Sequence, residues 1–431
     1  MTTLLLLLAM QEAADHWPQW RGPRGDGTSA TARPPLEWGP DRNVAWKVAL
    51  PGHGSSTPVV WENKIFVLCA VDTGKPGPGG PAAPPAERGG RRMSGPPPST
   101  VYRFEVLCLD RADGRILWRK TAVEEVPHEG VHATAGYASP SPATDGRTLI
   151  ASFGSRGVFA YDLDGALLWK KDLGDLRIKN SFGEGISPAL HAGLVVVVCD
   201  HEGDSFVVAL DARTGEEKWR QSRDERTTWS TPLVVEHAGV TQAIVHGTTA
   251  VRSYELPTGK LLWSCGGQTG NVIPVPMAKD GVVYVMSGFR GNAMYAIRLD
   301  ARGVVGDGPS IAWKRTDAAP YVASPVLLDG RIYFTKERQG VLSCVDAATG
   351  DLVFGPERLP GIDTIYASLA GADGKVYVTG RDGTTLVLKA GPAFEILATN
   401  RLGEGVDASP VLVGRQLLLR GAKNLYCFEA K

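Results

Sequence analysis

One phrase returns along this chain and limits what it can fold into. "ALDARTGEEKW", Ala209 to Trp219, runs from a short apolar strand through an Asp, across a Thr-Gly, and back to a Trp. "FVVAL" has the branched, apolar character of a half-buried strand. Asp211 can accept hydrogen bonds from backbone N–H groups two residues on, and Gly215 supplies the positive φ that closes a type I turn with a bulge. Trp219 then has a large apolar area that one hairpin cannot bury. The same phrase ends at Trp118, Trp169 and Trp263, at Phe354 with Phe in the Trp place, and at Trp313 after a longer turn. The missing cover for each ring is therefore expected from a neighbouring copy.

A Ser/Thr-Pro leading a short apolar strand marks the start of each unit: Thr57-Pro58, Ser141-Pro142, Ser187-Pro188, Thr231-Pro232, Ser324-Pro325 and Ser409-Pro410. Val275-Pro276 and Ser368-Leu369 fill the same place in degenerate form. From Pro142 onward the markers fall roughly 41 to 49 residues apart, the period of four-stranded propeller blades. Eight markers predict an all-β, eight-bladed β-propeller over residues 43–431. The last unit, "ASPVLVGRQLLLRGAKNLYCFEAK", stops after its third strand, whereas "NVAWKVALPG" places Trp46 where a repeat Trp belongs. The ring is therefore expected to close by pairing "VAWKVAL" with "NLYCFEA", which removes exposed sheet edges. Seven blades is the alternative if Ile365 to Leu402 is not a full unit, since it has "LKAGPAFEIL" in place of the Trp phrase.

The phrase Ala-x-Asp-x-x-x-Gly-x-x-x-Trp resembles the tryptophan-docking motif of the PQQ-like propeller superfamily, which includes quinoprotein alcohol dehydrogenases and the outer-membrane assembly lipoprotein BamB. "HWPQWRGPRGDG", His16 to Gly27, resembles the N-terminal phrase of PQQ-binding-like repeat proteins of planctomycetes. The resemblance implies that each repeat Trp packs on the next blade. It leaves function divided, because one fold hosts many activities. It implies either a non-catalytic scaffold or a dehydrogenase using PQQ and Ca²⁺. The quinoprotein alcohol dehydrogenases carry an adjacent Cys-Cys pair against their cofactor. This sequence has none, which counts against bound, working PQQ.

Lys plus Arg equals Asp plus Glu at 46 each, so nothing in the charge suggests a nucleic-acid footprint or a polybasic membrane patch. "TTLLLLLAMQEAA" reads as a secretory h-region with small residues near Ala13-Ala14, although it lacks a basic n-region. Export, to the periplasm or beyond, is the expectation for residues 1–14. The apolar run is too short to span a bilayer. Residues 15–42 form an extension in which Trp17, Trp20 and Arg21 are expected to cap the ring, with a partner anchor as the other reading. Cys108, Cys344 and Cys427 share one repeat position and read as small buried hydrophobes, while Cys69, Cys199 and Cys265 are scattered without zinc-like spacing.

In a propeller the first strands line the channel, so the residues just ahead of each marker crowd one mouth. They are His53, Tyr137, Glu184, Trp229, Asn271, Tyr321, Tyr366 and Asp407. Glu184, Asn271 and Asp407 carry oxygens of the kind that hold Ca²⁺, and Trp229 offers a face to a planar quinone. Ring mouths carry such residue types without any ligand, and these groups come from blades three, four, five and eight. They are expected not to converge on one point, so no catalytic residue and no tightly held metal is assigned. One segment breaks the period: "TGKPGPGGPAAPPAERGGRRMSGPPPS", Thr73 to Ser99, is too rich in Pro and Gly to pack and should hang over the same mouth as a neutral insertion or a lid. The favoured function is an exported, monomeric, non-catalytic module for protein or polysaccharide partners. The alternative is a PQQ- and Ca²⁺-dependent alcohol or sugar dehydrogenase.

Overall fold

The computed structural model describes residues 16–78, 94–336 and 338–430. Residues 1–14, expected to be a secretory segment, and the centre of the Pro/Gly-rich insertion lie outside the described residues. Eight sheets, each built on four antiparallel strands and two of them carrying a fifth strand paired parallel at an edge, form an eight-bladed propeller. Blade eight is assembled from both chain ends. Val44–Ala49 pairs antiparallel with Asn424–Glu429, with Trp46 opposite Cys427 and Val48 opposite Leu425. The weak unit at Ile365 to Leu402 is a complete blade with strands Ala370–Ala372, Lys375–Thr379, Thr384–Lys389 and Ile396–Arg401. The seven-blade alternative is excluded.

The hairpin chemistry accounts for the repeated phrase. Asp211 Oδ1 accepts from the N–H groups of Arg213 and Thr214, both at 3.0 Å, and Gly215 holds φ 71°. The ladder then slips: Ala209 faces Trp219 but Leu210 faces Glu217, which is a β-bulge that aims the Trp out of its own sheet. Each indole lies against a glycine of the next blade's turn and donates its N–H to a carbonyl there. Trp219 abuts Gly259 and bonds Leu256 O at 2.7 Å. Trp169 abuts Gly215 and bonds Ala212 O at 2.9 Å, and Trp46, Trp118 and Trp313 repeat the arrangement. A side chain at Gly259 would enter the Trp219 ring, so the glycine is required twice, by its φ of 71° and by the approach.

Small residues face the repeat aromatic across the strand pair, and three of the cysteines are among them. Cys108 faces Trp118, Cys344 faces Phe354 and Cys427 faces Trp46, where other blades use Ala or Ser. All six cysteines are buried and unpaired. Burial pushes the Cys108, Cys344 and Cys427 thiols up to about 12, as expected of structural thiols.

Two blades depart from the pattern. Trp263 bonds Gln242 Oε1 at 3.3 Å, and Gln242 passes the link on by donating to Leu299 O of blade five at 2.9 Å. The longer turn of blade five supplies Gly303–Val305, which pairs parallel with the outer strand of blade four and covers its edge. Blade seven lacks a repeat Trp, and the N-terminal extension provides one. Trp38 is buried with its ring 6.1 Å from Tyr377 of blade seven and 6.0 Å from Phe428 of blade eight. Asn400 anchors it, accepting from the Trp38 N–H at 2.9 Å and donating to Leu36 O at 3.1 Å.

The Ser/Thr-Pro markers form a ring of hydrogen bonds around the channel. The Thr57 N–H donates to Ser141 Oγ at 2.9 Å, Ser141 to Ser187 at 2.9 Å, and Ser187 to Thr231 at 3.0 Å. After a gap, Val275 donates to Ser324 at 3.2 Å, Ser324 to Ser368 at 2.9 Å, Ser368 to Ser409 at 3.1 Å, and Ser409 back to Thr57 at 3.1 Å. The gap falls at Val275, which has no hydroxyl, and Ser230 Oγ bridges the same two blades by donating to Pro274 O at 3.0 Å. Replacing Ser187 by Ala leaves the buried Ser141 N–H without its acceptor. That should lower the unfolding free energy by about 1–3 kcal/mol, read by chemical denaturation.

The extension seals one end of the channel, as the capping expectation has it. Trp17 bridges Val60 of blade one, and Thr144 of blade two donates to Pro18 O at 2.8 Å. The buried guanidinium of Arg21 bonds Leu369 O and Pro325 O, tying blades seven and six. Thr28–Ser29 then pairs parallel with the first strand of blade seven, so the extension is part of the propeller's sheets and the 43–431 boundary is too narrow. The insertion in blade one also begins later than expected. Lys64–Pro76 and Thr100–Asp110 continue as a long paired hairpin through Thr73.

Candidate functional site

The other end of the channel opens into a cavity of about 560 Å³, within the range of small-ligand sites. Six of the eight residues singled out from the sequence line it: Glu184, Trp229, Asn271, Tyr321, Tyr366 and Asp407. Trp20 of the extension also lines this cavity, its indole N–H on Ser409 Oγ at 3.3 Å, so the plug reaches up to the level of the hydroxyl ring and forms a floor. His53 and Tyr137 line a neighbouring cavity of about 390 Å³ that shares Ser55, Thr134, Ala135 and Asp407 with the first. The eight positions thus divide between two joined spaces.

The oxygen-bearing groups share the cavity, yet each is held by a different partner. Glu184 accepts from the Ser155 N–H at 2.9 Å and the Ser155 hydroxyl at 2.7 Å. Gly154 makes room for it, since a Cβ there would lie 1.8 Å from the carboxylate. Asn271 Oδ1 accepts from Lys179 Nζ at 2.9 Å. Both oxygens of Asp407 are taken by Arg381, at 2.6 and 2.9 Å, and the same guanidinium covers the Tyr366 ring at 4.1 Å. Among the described residues no group of three or more His, Cys, Asp and Glu is arranged to hold a metal. Trp229 donates its indole N–H to Gly183 O at 2.8 Å and tilts by 32° against Phe182 at 6.4 Å.

Burial pushes the Glu184 carboxyl up to about 7, against the two Ser155 hydrogen bonds that favour its charged form. A carboxyl raised in the folded state contributes stability fully present below its ordinary value, and that stability is lost as pH rises through about 7. Wild type should therefore lose stability between pH 5 and pH 8, on the order of 2 kcal/mol from this group. Glu184→Gln should flatten that part of the profile. Thermal melts of both proteins across this range check it, and parallel profiles would mean Glu184 stays ionised.

Sequence reasoning missed the cations. Lys179, Arg290 and Arg338 line the same cavity, beside His132, but they sit away from the positions immediately before each marker. Lys179 lies in the loop ahead of blade three, eight residues before Ser187, and a search confined to the last few residues passes over it. The insertion does reach this mouth: Ser94 bridges His132, and the Gly95 N–H donates to Val131 O at 3.0 Å.

A protein-family model described as outer membrane protein assembly factor BamB matches residues 103–355, more than half of the chain. The chain belongs to this family of PQQ-like propellers. BamB from Moraxella catarrhalis is similar over 81% of this chain and 95% of its own, at 14% identity and a TM-score of 0.55. Quinohemoprotein alcohol dehydrogenase from Comamonas testosteroni is similar over 96% of this chain and 80% of its own, at 12% identity and a TM-score of 0.65. The quinohemoprotein alcohol dehydrogenase ADHIIG from Pseudomonas putida HK5 covers 99% of this PQQ-like propeller and 82% of its own chain, at 11% identity and a TM-score of 0.62. No curated protein matches the sequence. At these identities the likeness establishes the fold alone.

Proposed function

We propose that this PQQ-like propeller is an exported, non-catalytic binding module whose ligand enters the open mouth of the channel. The observation that carries the reading is the committed state of the oxygens. Glu184, Asn271 and Asp407 are engaged by Ser155, Lys179 and Arg381 respectively. A divalent cation beside Asn271 would stand against the Lys179 ammonium, and one at Asp407 would have to displace a two-pronged Arg. Ca²⁺ prefers six to eight oxygens free to turn toward it, and these residues as arranged do not fit it. The protein is therefore proposed to hold neither Ca²⁺ nor PQQ as a resident cofactor. Export rests on the apolar N-terminal run and on the family's name as an outer membrane assembly factor. Among the described residues no helix is long and apolar enough to cross a membrane.

The dehydrogenase reading draws on one observation, that Glu184, Trp229 and Asn271 from successive blades line a single cavity. Incubating purified protein with PQQ and Ca²⁺ separates the two. The binding reading predicts no retained quinone absorbance after desalting and no dye-linked oxidation of alcohols or sugars. Retained quinone together with turnover would replace it with the enzyme reading.

A further inference from the structure

The cavity gathers positive charge that has no carboxylate partner among the described residues. Lys179 spends one donor on a neutral amide, Asn271. Arg290 lies with its guanidinium 5.3 Å from the centre of the Phe289 ring. Arg338 stands exposed at the rim. Among the described residues none of the three has a carboxylate partner. Of the two carboxylates that line the cavity, Asp407 is neutralised by Arg381 and Glu184 is turned to Ser155, with burial pushing its carboxyl up to about 7. The field of this cluster reaches His132, whose pKa is lowered first by burial and then by Arg338 and Arg381. Like charges brought into one concave space raise its potential and favour an anion there.

The rest of the lining narrows the class of anion. Trp229 with Phe182 at 6.4 Å, and Phe289 with Tyr321 at 5.0 Å, supply aromatic surface, each pair tilted, by 32° and 34°, so that neither pair is a flat stack. Ser55, Thr134, Ser139 and Asn180 add neutral hydrogen-bonding groups, which match hydroxyls better than they match a planar polycarboxylate. The central and side cavities, about 560 and 390 Å³, share lining residues, so a ligand of more than one ring can run between them. A blind cavity of this size is too small to bury the area a stable protein partner requires.

We infer that this mouth binds an acidic oligosaccharide, with a uronate carboxylate seated between Lys179, Arg290 and Arg338 and the pyranose faces against Trp229 and Phe289. The inference rests on the binding-module reading and names its ligand class. Charge-assisted hydrogen bonds to the carboxylate provide selectivity, and the aromatic faces provide contact with the apolar side of each sugar.

Calorimetric titration of the full chain with a short oligouronide, and with the same oligomer after its carboxylates are reduced to alcohols, tests this. The oligouronide should bind, the reduced sugar about tenfold or more weaker, and added salt should narrow the difference. Arg338→Gln, at an exposed position, and Lys179→Met should each weaken the oligouronide about tenfold and leave the reduced sugar unchanged. Lys218→Met, on the outer hairpin, should change neither. Equal affinity for the two sugars, or no heat from the oligouronide with folded wild type, overturns the inference. In the same series benzenetricarboxylate serves as a flat anion. If it binds in a Trp229-dependent way while the sugars do not, the module reading stands and the sugar assignment falls. Dye-linked turnover with PQQ would instead remove the module reading itself.

Discussion

Trp219→Ala is expected to lower the unfolding free energy by about 3–5 kcal/mol, the usual loss on truncating a buried large aromatic. The indole is 8% exposed, fills the space over Gly259 and satisfies Leu256 O. Its removal opens a void between blades three and four and leaves that carbonyl without its donor. Trp263→Ala should cost a similar amount, since its ring is wholly buried and also holds Gln242. Trp118, only half-buried, should cost less than either. Denaturant melts of the three variants give the order directly, and a flat response at Trp219 would mean that blade-to-blade docking contributes little.

Asp200→Ala should be as damaging, by about 3–5 kcal/mol, because it leaves a fully buried guanidinium without its hydrogen-bonded carboxylate, with only Glu225 near it at 4.0 Å. Both side chains of the Asp200–Arg223 pair are 0% exposed. Asp200 accepts from Arg223 at 2.7 and 3.1 Å and from Thr228 Oγ1 at 2.8 Å, and Arg223 also bonds the Tyr254 hydroxyl at 3.2 Å. Burial is the largest single influence on Arg223 and would lower its pKa, but the Asp200 charge and hydrogen bonds, with Tyr254 and Glu225, together outweigh it and the net shift is upward. The network fixes the segment that delivers Trp229 to the cavity, so Asp200→Ala should loosen the site as well as the fold. The paired replacement Asp200→Leu with Arg223→Met should recover much of the loss, because no charge is then left buried alone. A double variant no better than the single would show that Arg223 makes its main contribution through Tyr254 and Glu225.

The fold was legible wherever a local rule repeated. Asp211, Gly215 and Trp219 state a hairpin, its bulge and a ring in need of cover within a few residues, and Trp46 stands out by matching that phrase at the wrong end of the chain. The markers gave blade number for the same reason, including the degenerate Ser368, whose hydroxyl closes its link like the others. Their chemical purpose was hidden, because each hydroxyl serves the N–H of a different blade roughly one repeat away. Trp38 was hidden for a related reason. It replaces the absent Trp of blade seven from some 360 residues away in sequence, as its bond to Asn400 shows.

The site was half legible. Position ahead of the markers brought six of eight residues to one cavity, since first strands converge in a closed ring. The partners that decide their chemistry were not visible. Ser155, Lys179 and Arg381 lie on loops of other strands or blades, where no local spacing relates them to Glu184, Asn271 and Asp407. Residue type alone made those three look like cation ligands, and their hydrogen bonds point to a different role.

Calcium titration by calorimetry, on wild type and on Glu184→Gln, tests that role most directly. With the oxygens held by Ser155, Lys179 and Arg381, wild type should show no saturable heat at micromolar Ca²⁺, and the variant should be indistinguishable from it. Micromolar binding in wild type that disappears in Glu184→Gln would contradict the account and turn the channel mouth into a metal site.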